Sequence, residues 1–231
     1  METQTYASRP AYLRNARPWH RFAFILRKMA ERFEVLSKDL RVPPGGRVLD
    51  YGCADAPYRG MFGDDVDYVG ADLPGNPVAN VEIRPDGTVA VEDGSCDAVI
   101  STQVLEHVVD PETYLAECAR VLRPGGRMLL STHGIMIYHP DPVDYWRWTG
   151  DGLERIVTEA GFEVERLEGI QSLGASGLQL VQDAVMWRLP AFLRSPFTLL
   201  MQKLIALADR LASDEARRMN ALVFAVVARK R

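Results

Sequence analysis

The sequence predicts an α/β fold with a doubly wound, mostly parallel sheet that carries helices on both faces. Short apolar runs of strand length alternate with longer helical segments, which is the pattern of a parallel sheet. Two of these runs end in an aspartate, Asp50 and Asp72, roughly twenty residues apart. Because parallel strands present their carboxyl ends at one edge of the sheet, the sequence predicts a ligand site at that edge.

Seven strands are expected where runs rich in Val, Ile and Leu are bounded by glycine, proline or charged residues. They cover residues 47–51, 67–71, 78–83, 98–101, 127–132, 162–170 and 221–229. Helices are expected at residues 19–40, 56–62, 111–121, 150–160, 178–189 and 196–212. Asp110, Thr149 and Ser195 are the expected N-caps of three of these helices, and Pro111 and Pro196 suit the first helical position of two.

Length and composition are those of one domain with a large core. The expected parts are an N-terminal arm and helix (1–45), a ligand-binding core (46–170), a helical insertion (171–220) and a last strand (221–231). The net charge of −4 argues against a dedicated nucleic-acid binder. Cys53, Cys96 and Cys118 lack C-x-x-C spacing and are expected to be reduced thiols of a cytoplasmic protein. Neither a leader nor a transmembrane segment is expected.

The N-terminal arm is basic and leads into an amphipathic helix. Basic residues outnumber acidic ones at Arg9, Arg14, Arg17, Arg21, Arg27, Lys28 and Arg32. They are interpreted either as a grip on phosphate or an anionic lipid surface, or as the solvated face of a helix that packs on the domain.

The loop after Asp50 separates two kinds of ligand. A dinucleotide site needs G-x-G-x-x-G so that the backbone can approach a pyrophosphate. Here Gly52 is the only glycine in residues 52–56, and Asp55 would repel phosphate. A ligand with a ribose, an adenine and a zwitterionic amino acid end fits better, and S-adenosylmethionine has these parts.

Four stretches resemble the class I S-adenosylmethionine-dependent methyltransferases, in the order that this family shows. They are VLDYGCADAP, YVGADLP, VEDGSCDAVISTQVLEHVVDPETYLAECARVLRPGGRMLLST and DYWRWTGDGLERIVTEAGFEV. The resemblance implies a Rossmann-like sheet with an antiparallel last strand, and S-adenosylmethionine as the cofactor. Ala54 stands where the family usually has a second glycine. Because alanine disfavours a positive φ, we expect a slightly altered loop there.

The resemblance also implies the cofactor contacts. The first loop lies along the methionine and ribose, Asp72 binds the ribose hydroxyls, and the end of the fourth strand is nearest the methionine tail. Asp86-Gly87 either contacts adenine or is a plain β-turn. The cofactor-binding residues expected are Asp50, Gly52, Ala54, Asp72, Asp86, Gly87 and Gln103.

Three histidines follow the strands that border the expected acceptor side. His107, His133 and His139 fall on loops at the carboxyl ends of the later strands. Histidine is the side chain best able to accept a proton near neutral pH, so His139 is the expected general base. His107 is the second candidate, and Asp144 or Asp141 is expected to orient His139 or bind the acceptor hydroxyl. His107 and His133 also have a plainer interpretation, in which they only cap a helix or shape a loop.

A divalent-metal site is a rival interpretation of the same residues. Some methyltransferases carry Glu-x-x-Glu-His at this point and a later histidine, whereas this chain has Gln103 in place of the first carboxylate. Glu106, His107 and His139 alone would bind Mg²⁺ poorly, so no metal ligand is assigned.

The acceptor is expected to carry a hydroxyl. Asp144-Tyr-Trp-Arg-Trp-Thr149 resembles a stretch of methyltransferases of polysaccharide and glycan assembly, which favours O-methylation of a sugar. An alternative is an O-methyltransferase of a prenylated quinone or polyketide. A third hypothesis is a non-catalytic S-adenosylmethionine-binding partner protein.

The helical insertion at 171–220 is unusually apolar. Leu200, Leu204, Leu207 and Leu211 share one helix face. Four interpretations stay open: a helical hairpin that closes over the core, a seam with a second copy that gives a homodimer, a lid over an apolar acceptor, or peripheral membrane contact.

Overall fold

A computed structural model describes residues 16–141 and 143–231, and one seven-stranded sheet organises them. The strands are β1 Arg47–Tyr51, β2 Asp67–Asp72, β3 Val81–Glu82, β4 Cys96–Thr102, β5 Leu122–His133, β6 Phe162–Ser172 and β7 Ala221–Lys230. Their order is β3-β2-β1-β4-β5-β7-β6. The first five strands are parallel, and β7 runs antiparallel to both β5 and β6. The predicted mostly parallel sheet with an antiparallel last strand is confirmed.

Helices cover both faces of this sheet, as predicted. They are α1 Ala23–Asp39, α2 Pro111–Val121, α3 Gly150–Glu159, α4 Leu173–Met186, α5 Ala191–Arg210 and α6 Asp214–Met219. Successive residues of β1 point to opposite faces. Val48 packs with α1 on one face, and Leu49 packs with α2 and α3 on the other. In the described ranges, no helix has the length and apolarity needed to cross a membrane.

The N-caps expected for the two central helices are present. The Asp110 carboxylate accepts a hydrogen bond from the Glu112 N–H at 3.1 Å. The Thr149 hydroxyl accepts one from the Gly152 N–H, also at 3.1 Å. Each cap satisfies a backbone donor that the first helical turn leaves unpaired.

The helix expected at residues 56–62 does not form, and that prediction was wrong. This segment makes turns and a single 3₁₀ turn, Arg59–Met61. Ala56 has a φ of +48°, and the following Pro57 disfavours the right-handed helical conformation at this position. The Phe33 ring of α1 packs edge-on against Tyr58, with centroids 5.2 Å apart, so the N-terminal helix covers the sheet face here.

The insertion before β7 is a helical hairpin, but its boundaries differ from those expected. α4 begins at Leu173 rather than at residue 178. α5 begins at Ala191, so Ser195-Pro196 is not a helix start and Pro196 lies inside the helix. The six-residue α6 that follows, capped by Ser213, was not predicted.

Basic residues of α1 and of the segment just before it form ion pairs within the fold. Arg21 contacts Asp183 of α4 at 3.5 Å, Lys28 contacts Asp209 of α5 at 3.6 Å, and Arg32 forms two bonds with Glu168 of β6. Arg9 and Arg14 lie outside the described residues. The paired residues attach α1 to the hairpin and the sheet, which is the role of a helix that packs on the domain.

Candidate active site

The turn after β1 approaches the next loop so closely that only glycine fits. Gly52 has a φ of +86°, and a Cβ atom there would lie 2.4 Å from Cγ2 of Val104. Either condition alone would disfavour another residue. The tight turn predicted after Asp50 is therefore present.

The first N–H groups of this loop point at β2. Gly52 and Cys53 both donate to the Ala71 carbonyl, at 2.8 and 3.0 Å. The Ala54 N–H donates to a carboxylate oxygen of Asp72 at 2.7 Å. The expectation that the loop offers these donors to a ligand is not met at these three positions.

Ala54 takes the conformation that a glycine would take. Its φ is +47°, in the left-handed region, so the loop carries backbone strain at this alanine. Ala54 therefore adopts the positive φ that alanine disfavours, and the bond from its N–H to Asp72 holds it there.

Asn76 connects the loop after Asp50 with the loop after Asp72, and the sequence did not predict this role. Its amide nitrogen donates to Asp72 at 2.7 Å and to the Ala54 carbonyl at 2.8 Å. Asp72 thus accepts from Ala54, Asn76 and Leu73, which are three of the roughly four acceptor positions of a carboxylate. One position is left for a ribose hydroxyl unless Asn76 gives way. Asn76 lies in a Pro-Gly-Asn-Pro turn, and nothing in that pattern distinguishes it from an ordinary loop residue.

Asp50 lies under the loop as a buried carboxyl with one oxygen uncommitted. The Tyr68 hydroxyl donates to Oδ2, while Oδ1 has no hydrogen-bond partner. Burial raises the pKa of Asp50 to about 7, against the lowering effect of the Tyr68 bond, and the charge of Asp72 adds to the rise. A positively charged ligand group near Oδ1 would satisfy it.

Asp86 and Gly87 form a turn that is attached to the end of β1. The Gly87 N–H donates to the Arg84 carbonyl at 2.8 Å, and the Thr88 N–H donates to Asp86 at 2.9 Å. The Tyr51 hydroxyl donates to the Gly87 carbonyl. The β-turn interpretation is correct as geometry, and the adenine contact stays a prediction.

Gln103 lies at the end of β4 with a φ of +58°. Its side-chain amide donates to the Ser131 hydroxyl of β5 at 3.0 Å. It bridges the two strands that border the expected methionine end of the site.

The three histidines at the end of the later strands come together. Ring centroids are 6.3 Å apart for His107 and His133, 5.7 Å for His107 and His139, and 5.8 Å for His133 and His139. His107 and His133 are buried, and His139 is partly exposed. We call these three residues the histidine cluster.

Glu106 lies beneath the histidine cluster and is fully buried. One oxygen accepts from the Thr132 hydroxyl at 2.8 Å, and the other lies 3.3 Å from Nε2 of His133. Burial raises the pKa of Glu106 to about 7 and lowers the pKa of His133 to about 3. His133 is therefore a neutral ring near neutral pH, and it is too weak a base to take a proton there.

Asp144 holds the loop that carries His139. Its carboxylate accepts the His139 backbone N–H at 2.7 Å and two bonds from Arg147 at 2.5 and 2.6 Å. Burial opposes ionisation, but the Arg147 bonds lower the pKa of Asp144. Asp144 positions the His139 backbone, and the ring of His139 faces the other two histidines.

The geometry offers no cation site at this position. Among residues 16–141 and 143–231, no three His, Cys, Asp or Glu side chains are arranged to hold a metal ion, and Glu106, His107 and His139 are not such a set.

The fold and the first loop define the class of protein. A parallel sheet extended by an antiparallel β7, with a glycine turn after β1 and an aspartate at the end of β2, is a Rossmann-like cofactor-binding architecture. Residues 19–167 match the family model described as a methyltransferase domain. The chain belongs to this methyltransferase family.

Named relatives agree with the family. A Mycolicibacterium smegmatis protein described as "Probable S-adenosylmethionine-dependent methyltransferase" is 33% identical over 156 residues, which are 60% of this chain and 61% of that protein. A ubiquinone biosynthesis O-methyltransferase of Cereibacter sphaeroides is 26% identical over 201 residues, covering 74% of this chain and 78% of the relative. Since the chain spans less than two thirds of the first relative, that protein's whole activity does not transfer directly.

Solved structures agree on the fold. Geranyl diphosphate methyltransferase in complex with GPP and sinefungin superposes with a TM-score of 0.59 at 14% identity, over 89% of this chain and 79% of that one.

Proposed function

We propose that this protein transfers a methyl group from S-adenosylmethionine to a hydroxyl of its acceptor. The observation that carries the proposal is the histidine cluster at the carboxyl ends of β4 and β5, beside the cofactor loops. A hydroxyl must lose a proton when it is methylated, and a partly exposed histidine can accept it.

The residues at the sheet edge fit the cofactor. Oδ1 of Asp50 is buried without a partner, and the close approach at Gly52 leaves the first loop compact. Asp50, Gly52 and Ala54 would lie along the methionine and ribose, Asp72 would accept a ribose hydroxyl, and Gly87 would lie near the adenine. Bound S-adenosylmethionine supplies an electrophilic methyl group on a sulfonium, so the difficult bond change belongs to the cofactor.

The chain's own task is to position the acceptor and to move one proton. His139 accepts the proton of the acceptor hydroxyl, and Asp144 fixes the backbone of His139 through the 2.7 Å bond. His133 and Glu106 lie behind the reacting group as a buried pair, which keeps water away from the back of the site. The Nδ1–H of His107 donates to the Val143 carbonyl and so supports the same loop.

For the acceptor we favour a hydroxyl on a ring with a lipid tail, such as a prenylated quinol. Ubiquinone biosynthesis O-methyltransferases match between 67% and 74% of this chain in three cases at 25–28% identity. The exposed apolar face of the α4–α5 hairpin is the kind of surface along which a lipid tail can lie.

A sugar hydroxyl is the second candidate. The loop around His139 exposes the rings of Tyr138, Tyr145 and Trp146, which can pack against the C–H face of a sugar. The charged residues of the Asp144–Trp148 segment, which favours sugars, bind within the loop itself. Arg147 donates to Asp144 and to the Met136 carbonyl, so these groups are already engaged before a sugar binds.

The test is a methyl-transfer assay with labelled S-adenosylmethionine on prenylated quinols, lipid-linked sugars and free sugars, with and without Mg²⁺. We expect product with quinols and no dependence on Mg²⁺. Product only with sugars would select the second candidate. Tight binding of S-adenosylhomocysteine without product on any hydroxyl acceptor would favour the non-catalytic partner hypothesis.

A further inference from the structure

The interior of the α4–α5 hairpin is partly polar, beside a small apolar cluster of Phe24, Ala175 and Ile205. Gln179, Gln182 and Gln202 are buried between the two helices and the start of α1. Their amide nitrogens all donate to the Arg21 carbonyl, at 3.0, 2.8 and 2.9 Å. Gln202 also accepts the Phe24 N–H at 2.7 Å, which caps the first turn of α1. The polar side chains therefore serve as the internal attachment of the hairpin.

One stripe of apolar side chains on α5 points outward, whereas Met186, Met201 and Ile205 are buried on the inner side of the hairpin. Leu200, Leu204, Leu207 and Leu211 recur at four- and three-residue steps and share one face of α5. Leu211 is 83% exposed, and Phe192 at the start of α5 is 78% exposed. Soluble monomers rarely leave such a continuous apolar surface in water. The family model ends at residue 167, so this surface lies outside the matched part of the chain.

The exposed charges between residues 184 and 211 are all positive. The first exposed acidic residues beyond this range are Asp214 and Glu215 of α6, where Asp214 pairs with Arg217 at 2.9 Å. Between residues 184 and 211 the basic side chains are Arg188, Arg194, Lys203 and Arg210. The only acidic residue of that range, Asp209, is 2% exposed and pairs with Lys28. The chain as a whole carries a net charge of −4, so the positive patch is local.

This pattern is that of a helix pair lying in a lipid interface. Leucine and aromatic side chains enter the acyl boundary, while arginine and lysine at the border reach anionic headgroups. Arg194 lies over the Trp187 ring at 5.3 Å, which places a cation and an interfacial aromatic side by side. Neither helix is apolar and long enough to cross a membrane, which fits contact parallel to the surface.

We propose that the outer face of the α4–α5 hairpin docks on an anionic lipid bilayer. A second copy of the chain is the rival occupant, but a twofold dimer would bring this face against itself. Four positive side chains would then meet four of the same sign with no exposed acid in residues 184–211 to offset them. An anionic lipid surface complements both the charge and the apolar stripe.

The hairpin is also placed to serve the active site. It leaves the sheet after Ser172, which pairs with Ala221 of β7, and β7 pairs with His133 of β5 through Val223. The start of α4 therefore lies on the same sheet edge as the histidine cluster. Neighbouring strands are about 4.8 Å apart, and β7 lies between β5 and β6, so the ends of β5 and β6 are roughly 10 Å apart. Docking there would bring a membrane-held acceptor to the site, but it does not depend on which acceptor is used.

The test is sedimentation of the full chain with vesicles of phosphatidylcholine alone, or of phosphatidylcholine with phosphatidylglycerol. We expect binding to the anionic vesicles, weakened by salt and by removal of phosphatidylglycerol. Leu200→Gln/Leu204→Gln/Leu207→Gln should weaken binding at least roughly tenfold. Lys203→Gln/Arg210→Gln should weaken vesicle binding roughly 25-fold, because each basic side chain lost lowers the affinity about fivefold.

Val35→Gln/Val109→Gln is the matched control, since both valines are exposed but lie outside the hairpin. It should bind vesicles as the wild type does. All variants should keep S-adenosylhomocysteine affinity, which reports an intact fold independently of any acceptor. The proposal is overturned if the wild type stays in the supernatant or if the leucine variant binds equally well. It is also overturned if light scattering shows a dimer that the leucine variant converts to monomer without any vesicle binding.

Discussion

The cofactor edge of the sheet and the interior of the α4–α5 hairpin both bury polar side chains, but they satisfy them differently. At the sheet edge, Oδ1 of Asp50, Oε1 of Glu106 and Nδ1 of His133 have no hydrogen-bond partner. Inside the hairpin, the amides of Gln179, Gln182 and Gln202 are bonded to the backbone and to each other. Oε1 of Gln171 and Oγ of Ser172, at the junction of β6 and α4, are unpaired as well, so the satisfied interior begins only beyond that junction.

We interpret the unpaired polar groups at the sheet edge as groups that bind a ligand, and the hydrogen-bonded glutamines of the hairpin as groups that stabilise the fold. A buried polar atom without a partner costs about 1–3 kcal/mol. Such atoms at the carboxyl edge of parallel strands mark the place where a ligand would complete the structure. Replacing one of them should change function more than stability, and replacing a satisfied hairpin glutamine should do the reverse.

The largest effect is expected at the histidine cluster. His139→Ala should lower kcat by a factor of roughly 10² to 10⁴, because a general base is lost. S-adenosylhomocysteine affinity, measured by calorimetric titration, should stay unchanged. His20→Gln, outside the cluster, is the matched control and should keep full turnover. If His139→Ala keeps more than about a third of the wild-type rate, His139 is not the base and His107 becomes the candidate.

The next effect concerns the tight turn after β1. Gly52→Ala should weaken S-adenosylhomocysteine binding at least roughly tenfold, because the left-handed φ costs about 1–2 kcal/mol and the new Cβ meets Val104. Gly52→Ala/Val104→Ala removes the contact but keeps the backbone strain, so it should recover affinity only in part. Full recovery would show that the close contact alone requires glycine.

The hairpin interior gives the opposite kind of effect. Gln202→Leu should lower the free energy of unfolding by about 2–4 kcal/mol, since the Phe24 N–H is left buried without an acceptor. Leu204→Gln, on the exposed face of the same helix, should change it by less than about 0.5 kcal/mol. Urea denaturation measures both. A stable Gln202→Leu variant would mean that the polar interior is not what holds the hairpin.

A smaller effect is expected from the protonation of Asp50. At pH 6.5, below its raised pKa of about 7, most of the Asp50 carboxyl is protonated in the free protein. A bound cationic sulfonium favours the carboxylate and lowers that pKa, so binding of S-adenosylmethionine should release up to about one proton. Titrations in buffers of different ionisation enthalpy measure this release. Asp50→Asn should abolish it, and an unchanged release in that variant would assign the proton to another group.

The smallest effect is expected at Ala54. Ala54→Gly relieves left-handed strain of about 1–2 kcal/mol but adds about 0.4–1 kcal/mol of unfolded-chain entropy. The net gain in stability should be below about 1 kcal/mol by thermal unfolding. Ala116→Gly, on the exposed side of α2, should instead lose about 1 kcal/mol. A loss of stability in both variants would show that the positive φ at Ala54 carries no strain.

Local patterns in the sequence predicted the cofactor edge of the sheet better than the α4–α5 hairpin. The strand at 47–51, its aspartate and the following glycine turn were readable because strand, turn and acidic residue are adjacent along the chain. The helix at 56–62 was predicted wrongly although one local signal was present, since Pro57 disfavours the helical conformation at Ala56. The left-handed φ of Ala56 itself could not be predicted from the residues next to it. Asn76 and Tyr68 became site residues only through contacts that cross between loops and strands.

The outward orientation of the leucine stripe could not be predicted from the sequence, for a different physical reason. A stripe of leucines at helical spacing identifies residues that share a face, but it does not tell whether that face points in or out. The stripe from Leu200 to Leu211 was read correctly as one face. Its exposure is decided by Gln179, Gln182 and Gln202, whose partner is the Arg21 carbonyl some 160 residues earlier in the chain.

The bonds from Ala54 and Asn76 to Asp72 have a consequence for binding entropy. Ordering a loop costs about 1–2 kcal/mol of conformational entropy per residue. Here hydrogen bonds within the protein already order the loops that follow Asp50 and Asp72. The entropy of ordering them is therefore lost on folding and not when the cofactor binds. Affinity for the cofactor should then reflect the contacts it makes, and hydrogen exchange at Ala54 should be slow before any ligand is added.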